Sequence, residues 1–192
     1  MKILAFAASN SSTSINKKFV NSVSKYYKEI EDTVLILDIH DFEMPLYRLD
    51  RELESGIPQL AYDFAEKIDW ADFILISFAE HNGNYCAAYK NLIDWTSRIK
   101  GRKLFNGKPV FILSTSQGSR GGQNVLDIAT ARLPRDGAEL LDTFALPEFG
   151  NNFEEGKGVT NMLLRSQLEA KVRKTKRTMK EKLSAYGENL NL

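Results

Sequence analysis

The amino-acid sequence predicts an α/β fold: a doubly wound, five-stranded parallel sheet of strand order 2-1-3-4-5, with helices on both faces. Three observations predict it. Short apolar runs alternate with segments of helical periodicity from the first residue onward, without an internal repeat. The runs are apolar on both sides, as in strands that helices cover on both faces. The chain has 192 residues, of which 43% are hydrophobic and 27% charged. These values are typical of one globular domain. For a doubly wound five-stranded sheet of this length, the order 2-1-3-4-5 is the usual one. We therefore expect a single domain over residues 1–192.

Five apolar runs provide the predicted strands. The first ends at a cluster of Ser, Asn and Thr side chains, which is a turn signal, and the other four are similar short runs between turn signals. The predicted strands span residues 2–7, 33–39, 72–78, 108–114 and 138–144.

Helical periodicity fills the intervals between these strands. The first predicted helix has an apolar face at Phe19 and Val23 that continues to Tyr26 or Tyr27. The apolar face of the third comprises Tyr89, Leu92, Ile93 and Ile99. The predicted helices span about residues 14–30, 58–71, 86–100, 121–134 and 160–186.

Charge is concentrated in the last helix. The formal net charge of the chain is +1, but residues 157–182 hold nine Lys or Arg and two Glu, so this segment is +7 and the remainder −6. A basic helix can bind nucleic acid or a membrane surface, but a charge run is more often a solvated helix face, and we favour that interpretation. The apolar positions Met162, Leu164, Leu168 and Val172 predict packing for the first half of this helix only.

Several classes of protein are disfavoured. No stretch approaches eighteen consecutive apolar residues, and the apolar N-terminus is too short for a secretory signal. Cys86 is the single cysteine, and His40 and His81 are the only histidines, so few metal ligands are present. We therefore expect a cytoplasmic protein without a metal site that binds neither nucleic acid nor a membrane.

Three polar loops follow predicted strands one, three and four. They span residues 8–14, 79–85 and 115–122. Because the carboxyl ends of parallel strands lie at one edge of the sheet, these loops should meet there. The crevice between strands one and three is where this architecture holds a ligand.

The first loop runs directly from a strand into a helix. Residues 9–14 read Ser-Asn-Ser-Ser-Thr-Ser, which places hydroxyl groups beside the unpaired amides of a helix N-terminus. Helix capping would account for one of these side chains, whereas a phosphate site accounts for the whole series. The loop lacks the glycines and lysine of a P-loop, so hydrolysis of nucleoside triphosphates is disfavoured.

The second and third loops carry turn residues. Asn82-Gly83 is a turn signal, beside which His81 or Tyr85 could pack on a flat heterocycle. His81 could also act as a general base, although the sequence assigns it no carboxylate partner. The third loop has three glycines, which permit close approach of its backbone to a ligand. Arg120 in this loop could pair with a phosphate or with a surface carboxylate.

Three motifs in these loops resemble the signatures of the NADPH-dependent FMN reductase family of flavodoxin-like proteins. The resemblance runs from Lys2 to about Pro147. The first family signature is Gly-Ser-x-Arg-x-x-Ser-x-Asn, and residues 8–16 read Ala-Ser-Asn-Ser-Ser-Thr-Ser-Ile-Asn. Ala8 and Ser11 replace the glycine and the arginine. The phosphate site implied by the resemblance therefore depends on hydroxyls and amides instead of a cation.

The other two signatures match to different degrees. The third, Ser-x-Ser-x-Gly-x-x-Gly-Gly, is intact over residues 114–122. The second departs from the family at Ala79, His81, Asn84, Cys86 and Ala87. It agrees with the family at Glu80, Asn82, Gly83, Lys90, Asn91, Ile93, Asp94, Trp95, Ser97 and Arg98.

The resemblance implies FMN as cofactor and NADPH or NADH as co-substrate. It implies that the phosphate of FMN lies at the first loop and its ring between the second and third loops, with one face open. Hydride would pass from the nicotinamide to the flavin and then, in a ping-pong scheme, to a quinone-like or other small-molecule acceptor or to free flavin. No catalytic side chain is required. The residues implied to bind the cofactor are Ser9, Ser11, Ser14, Ile15, Asn16, Ala79, Glu80, His81, Asn82, Gly83, Ser116, Gly118 and Gly121.

The resemblance also implies a homodimer or a tetramer, and Tyr85, Tyr89 and Trp95 are aromatic residues suited to such an interface. Two other functions stay open. One is an FMN electron carrier of the flavodoxin type, although such carriers are usually strongly acidic and this chain has a net charge of +1. The other is an interaction module with weakened flavin binding, which the departures in the second signature suggest.

Overall fold

The computed structural model describes residues 1–29 and 32–189, with side chains up to residue 185. The five long strands are β1 (Lys2–Ala8), β2 (Thr33–Asp38), β3 (Phe73–Phe78), β6 (Pro109–Thr115) and β7 (Glu139–Leu146). They form one parallel sheet of order β2-β1-β3-β6-β7. Counted along the chain, this order is 2-1-3-4-5, so the predicted flavodoxin-like fold is confirmed.

Helices connect the strands. They are α1 (Ile15–Ser24), α2 (Leu49–Ser55), α3 (Gln59–Trp70), α4 (Ala87–Thr96), α5 (Gln123–Arg132), α6 (Phe149–Asn152) and α7 (Met162–Asn189). The predicted strands and the five predicted helices are present, most with ends shifted by up to four residues. The first predicted helix is shorter than expected, because α1 ends at Ser24 and a 3₁₀ turn covers Lys25–Tyr27.

The sequence did not predict the smaller elements. These are α2, α6, a 3₁₀ turn at Ile39–Phe42, and two hairpins of two-residue strands, β4 (Glu80–His81) with β5 (Asn84–Tyr85) and β8 (Phe153–Glu154) with β9 (Gly158–Val159). None of them has a hydrophobic pattern long enough to reveal its period, and α2 buries none of its residues.

The core lies on both faces of the sheet. In β1, Leu4 and Phe6 pack with α3, α4 and α5, whereas Ile3 and Ala5 pack with α1 and α7. Every residue of β1 after Lys2 is buried, as is every residue of β3. This burial explains why these strands read as continuous apolar runs without alternation.

Helix α7 packs along more of its length than the sequence predicted. Met162 is 85% exposed, but the buried stripe continues through Leu168, Val172 and Thr175 to Met179. The prediction that only the first half packs was therefore wrong. Thr175 conceals the stripe in the sequence because it is polar, yet its hydroxyl lies 2.5 Å from the hydroxyl of the buried Tyr27.

The basic side chains of α7 contact acidic groups of the sheet and loops. Lys171 and Lys174 both bind the carboxylate of Asp142, at 2.6 and 2.9 Å, and Lys182 binds Glu139 at 2.9 Å. Burial raises the pKa of Asp142, but the hydrogen bonds from the two lysines lower it by a larger amount. The pKa of Asp142 therefore lies below its usual value. None of the helices in the described part of the chain has both the length and the apolar character of a membrane-spanning segment.

Candidate functional site

The three polar loops meet at the carboxyl edge of the sheet, as predicted. The side chain of Asn16, at the start of α1, joins the ends of two other strands. Its amide oxygen accepts hydrogen bonds from Ser77 Oγ at 2.7 Å and Thr115 N at 3.0 Å, and its amide nitrogen donates to Thr115 O at 3.1 Å. Cys86, before α4, donates from Sγ to the carbonyl oxygen of Ala8 at 3.1 Å. Internal hydrogen bonds therefore fix the loops to one another.

The first loop presents unused hydrogen-bond donors. Ser14 caps α1, because its Oγ accepts from Lys17 N at 3.3 Å, and Ser9 Oγ accepts from Ser11 N at 3.4 Å. Both Ser9 and Ser14 are buried, and neither hydroxyl donates to another described residue. The N–H groups of Ile15 and Asn16 likewise have no described acceptor.

These donors suit an anion. Buried hydroxyl protons and helix N-terminal amides without acceptors are stabilised by a phosphate oxygen. Ser11 itself is exposed, and its Oγ accepts from Thr13 N at 3.3 Å. A phosphate group therefore fits the residues of this loop.

The first loop has no arginine, and Lys17, the nearest lysine in sequence, is already paired. Its Nζ lies 2.5 Å from a carboxylate oxygen of Asp38, at the end of β2. Burial raises the pKa of Asp38, but the hydrogen bonds from Lys17 and from the backbone N–H of His40 lower it by more. Lys17 therefore neutralises Asp38, and hydroxyl and amide groups are the donors that the first loop itself offers.

The second loop is a hairpin with a two-residue turn at Asn82 and Gly83, which confirms the turn signal. Both residues have positive φ angles, 51° and 76°, as this turn type requires. His81 and Asn82 are exposed, whereas Ala79, which directly precedes the hairpin, is buried. His81 has no described hydrogen-bond or ion-pair partner, so the structure supplies no carboxylate to make it a general base.

Tyr85 packs against buried aromatic residues and is less exposed to a ligand than His81. Its ring lies 5.3 Å from the ring of Phe78 and 5.2 Å from that of Tyr89. Burial, with a smaller contribution from Asp136, raises the pKa of Tyr85 to about 12. Tyr89 and Trp95 are also buried within the chain, so the expectation that these aromatic residues form an interface was wrong for both.

The carboxylate of Glu80 binds the first turn of α5. One carboxylate oxygen accepts from Asn124 Nδ2 and the other from Val125 N, both at 3.1 Å. Sequence reasoning missed Asn124. The signal that could have revealed this contact is the glycine at position 122, because a helix that begins after a glycine has no side chain of its own to cap it.

The glycines of the third loop have different roles. A Cβ on Gly121 would lie 2.7 Å from the carbonyl carbon of Leu146, and one on Gly122 would lie 3.1 Å from the side chain of Ser114. Both glycines are therefore required by packing against the sheet. Only Gly118 faces open space, where a Cβ would meet nothing closer than Ser116 Oγ at 3.7 Å. The expectation that the whole glycine cluster allows ligand approach is thus limited to Gly118.

The rest of the third loop is open to solvent. Ser116 Oγ accepts from Gly118 N at 3.3 Å, and residues 117–120 are exposed. Arg120 has no ion pair with any described carboxylate. Its guanidinium therefore remains available at the edge of the site.

The second signature also holds the segment that follows β2. Asn91 Nδ2 donates to Met44 O at 2.9 Å, Trp95 Nε1 donates to Pro45 O at 2.7 Å, and Arg98 binds Glu52 of α2 at 2.8 Å. These contacts fix residues 44–55 against α4. Leu46, Leu49 and Leu53 then project outward with exposed fractions of 73%, 56% and 77%. Among the described residues, no cluster of His, Cys, Asp or Glu could hold a metal ion.

Comparison with known proteins agrees with this geometry. The chain is 40% identical over 80 residues to a quinone reductase of Escherichia coli K12, a match that covers 42% of each chain. It is 34% identical over 111 residues to a quinone reductase of Pseudomonas putida, which covers 57% of this chain and 59% of that one. The chain thus spans about half the length of these relatives.

Among solved structures, the fold is similar to that of a flavoenzyme NAD(P)H:(acceptor) oxidoreductase from Paracoccus denitrificans. The TM-score is 0.70 at 23% identity, and the alignment covers 92% of this chain and 97% of the other. The family model of the NADPH-dependent FMN reductases matches residues 1–149, most of the chain. The chain therefore belongs to the NADPH-dependent FMN reductase family, as the three signatures indicated.

Proposed function

We propose that the protein is an FMN-dependent NAD(P)H oxidoreductase that reduces quinone-like or other small acceptors, or free flavin. The observation that carries the proposal is the first loop. Two buried serine hydroxyls and two helix N-terminal amides there lack acceptors, at the point between β1 and β3 where this fold holds a ligand. A phosphate-bearing cofactor satisfies these groups, and family membership identifies the cofactor class as FMN.

The residues divide into three groups by what they would do. Ser9, Ser14 and the amides of Ile15 and Asn16 would hold the phosphate, with Ser11 at its outer side. The ring would be contacted by the exposed His81 and Asn82 and the partly exposed Gly83 of the hairpin, and by Ser116 and Gly118 of the third loop. The remaining residues would hold the loops in position without needing to touch the cofactor themselves. They are Ala79, Glu80, Gly121 and the side chain of Asn16.

The chemistry would come from the cofactor. When bound, FMN supplies hydride and electron transfer between the nicotinamide nucleotide and the acceptor. The chain's own residues bind and orient it, and the exposed Arg120 offers a positive charge to an anionic substrate at the edge of the site.

The test is an absorption spectrum of the purified protein with FMN, before and after anaerobic addition of NADPH or NADH. We expect bound flavin that loses its visible absorption within seconds, and recovery of the oxidised spectrum when a quinone is added. Flavin that stays oxidised until a separate reductase is supplied would instead identify an electron carrier. A protein that binds no FMN would favour the interaction module.

A homodimer is part of the proposal. The exposed side chains of Leu46, Leu49 and Leu53 make an apolar patch that contacts with α4 hold in place beside the site. Exposed apolar patches of this kind commonly form interfaces. Sedimentation at micromolar concentration should show a dimer or tetramer that Leu49→Glu dissociates and Met162→Glu, on the exposed start of α7, does not. A monomeric wild-type protein would refute this part of the proposal.

Two further expectations complete the proposal. Because α7 packs on the same sheet as α1, we assign it to the same domain as residues 1–149. The cytoplasmic location expected from the sequence stays a prediction, which microscopy of a tagged full-length chain can test.

A further inference from the structure

We propose that Glu80 is a positioning residue that clamps the second loop to the third and so sets the gap between the two walls of the ring site. The clamp itself is a property of the protein alone. Its effect on flavin rests on the proposed function. The inference differs from the role that the sequence implied, because the Glu80 carboxylate is engaged within the protein and does not need to touch the cofactor.

The clamp is a helix cap supplied from another element. Val125 is the third residue of α5, and its N–H is one of those that a helix leaves unpaired. The residue at the N-cap position is Gly122, which has no side chain to accept this bond. Glu80 Oε2 accepts it instead at 3.1 Å, and Glu80 Oε1 accepts from Asn124 Nδ2 at 3.1 Å. The negative carboxylate is also favoured at the positive end of the helix.

The hairpin needs such an anchor. Each of its strands has two residues, too few for the hairpin to be stable without tertiary contacts. Glu80 and Tyr85 are opposite each other in the ladder, and they anchor its base through the α5 cap and through packing on Phe78. The turn also lies over α5, since a Cβ on Gly83 would be 3.8 Å from Asn124 Nδ2.

The same contact orders the third loop. Residues 116–122 lead directly into α5, so fixing the first turn of α5 fixes the end of this loop. The hairpin and the third loop form the two walls of the proposed ring site, whereas the first loop is held by contacts that do not involve Glu80, those of Asn16 and Cys86. Loss of the clamp should therefore weaken binding of the ring and leave the phosphate contacts unchanged.

The experiment separates the ring from the phosphate by using two flavins. Riboflavin carries the ring without the phosphate, and FMN carries both. Dissociation constants are measured by fluorescence quenching for the wild type and for Glu80→Ala, Glu80→Gln and Asn124→Ala. Hydrogen exchange of residues 80–85 is measured in the cofactor-free protein. The matched control is Gln123→Ala, which removes a bond of 2.7 Å to Asp127 on the same turn of α5 but outside the clamp.

We expect Glu80→Ala to increase hydrogen exchange of the hairpin at least tenfold, because it removes two hydrogen bonds to a charged group and each is typically worth about tenfold or more. Riboflavin and FMN should both bind about tenfold more weakly. Glu80→Gln keeps an oxygen for the Val125 N–H and can pair with a reoriented Asn124 amide, so it should restore most of both properties. Asn124→Ala removes one of the two bonds and should give an intermediate effect, which keeps the test valid if Glu80→Ala fails to fold.

Three results would overturn the inference. Unchanged exchange of the hairpin in both Glu80→Ala and Asn124→Ala would show that no clamp exists. Faster exchange with unchanged riboflavin affinity would make Glu80 a purely structural residue. An equal effect of Gln123→Ala would show general weakening of α5. A wild-type protein that binds neither flavin would refute the proposed function and the ring-site half of the inference, while the exchange data would still decide whether the clamp exists.

Discussion

The substitution Gly121→Ala tests directly whether the third loop is shaped by packing or by its ligand. The new Cβ would lie 2.7 Å from the carbonyl carbon of Leu146, 2.8 Å from its oxygen and 2.8 Å from Pro147 N. These are backbone atoms at the end of β7, so they cannot rotate away as a flexible side chain could. The φ angle of Gly121 is +60°, in the left-handed region that favours glycine.

The expected cost has two parts. A left-handed conformation costs alanine about 1–2 kcal/mol relative to glycine. Forcing an extra methyl group against a closely packed backbone adds about 1–3 kcal/mol. The free energy of unfolding should therefore fall by about 2–5 kcal/mol.

Two other glycines serve as matched controls. Gly156 has a φ angle of +88° and no atom within 4 Å of a built Cβ, so Gly156→Ala carries the conformational cost alone. Gly118 has neither a left-handed φ nor a close contact. Gly118→Ala should change stability by no more than about 0.5 kcal/mol. It should nevertheless weaken FMN binding, because Gly118 faces the open side of the loop.

The assay is urea unfolding of the cofactor-free variants, followed by circular dichroism, with equal slopes required before midpoints are compared. Gly121→Ala should be less stable than Gly156→Ala by the cost of the collision, about 1–3 kcal/mol. If the two variants were equally stable, the packing explanation would be refuted. Gly121 would then be better explained as a glycine reserved for ligand approach.

Three further predictions concern single side chains. Ser14→Ala removes the cap of α1 and should cost about 1 kcal/mol of stability, and it should weaken FMN binding but not riboflavin binding, as fluorescence titration would show. Asp142→Asn should destabilise the protein by about 1–3 kcal/mol at pH 7. Because the folded-state pKa of Asp142 is lowered, its contribution is present above about pH 4 and is lost as the pH falls through that folded-state value, so unfolding at pH 3 should show a smaller difference. Burial raises the pKa of Cys86, so a thiol reagent at pH 8 should react slowly with the native protein and rapidly in denaturant; rapid reaction of the native thiol would contradict the buried position.

The main elements of the fold were predictable because the hydrophobic pattern of each one matches its burial in the structure. The runs of β1 and β3 are apolar throughout because helices cover both of their faces. The pattern fails where a polar residue is buried with a partner. Thr175 interrupts the apolar stripe of α7 in the sequence, but its contact with Tyr27 allows the stripe to continue to Met179.

The place of the site was predictable, but the role of each residue within it was less so. Loop composition and strand order together put three polar loops at one edge, and the structure confirms this. Sequence spacing does not determine whether a polar side chain beside the site points toward the ligand or toward a neighbouring loop. That choice depends on tertiary contacts, such as those of Asn16 with Thr115 and of Glu80 with Val125.

There is a physical reason why some polar residues at the site order the loops and others keep free donors. A flat cofactor needs walls at a fixed separation, and exposed loops lose that order easily because they bury little apolar surface. Buried hydrogen bonds supply the order here. Asn16 joins α1 to β3 and β6, and Glu80 joins the hairpin to α5, so both side chains are engaged within the protein. Ser9 and Ser14 keep unused hydroxyl protons because backbone amides occupy only their lone pairs. Substitutions of the first pair should therefore disturb loop order in the cofactor-free protein, and substitutions of the second pair should mainly reduce phosphate affinity.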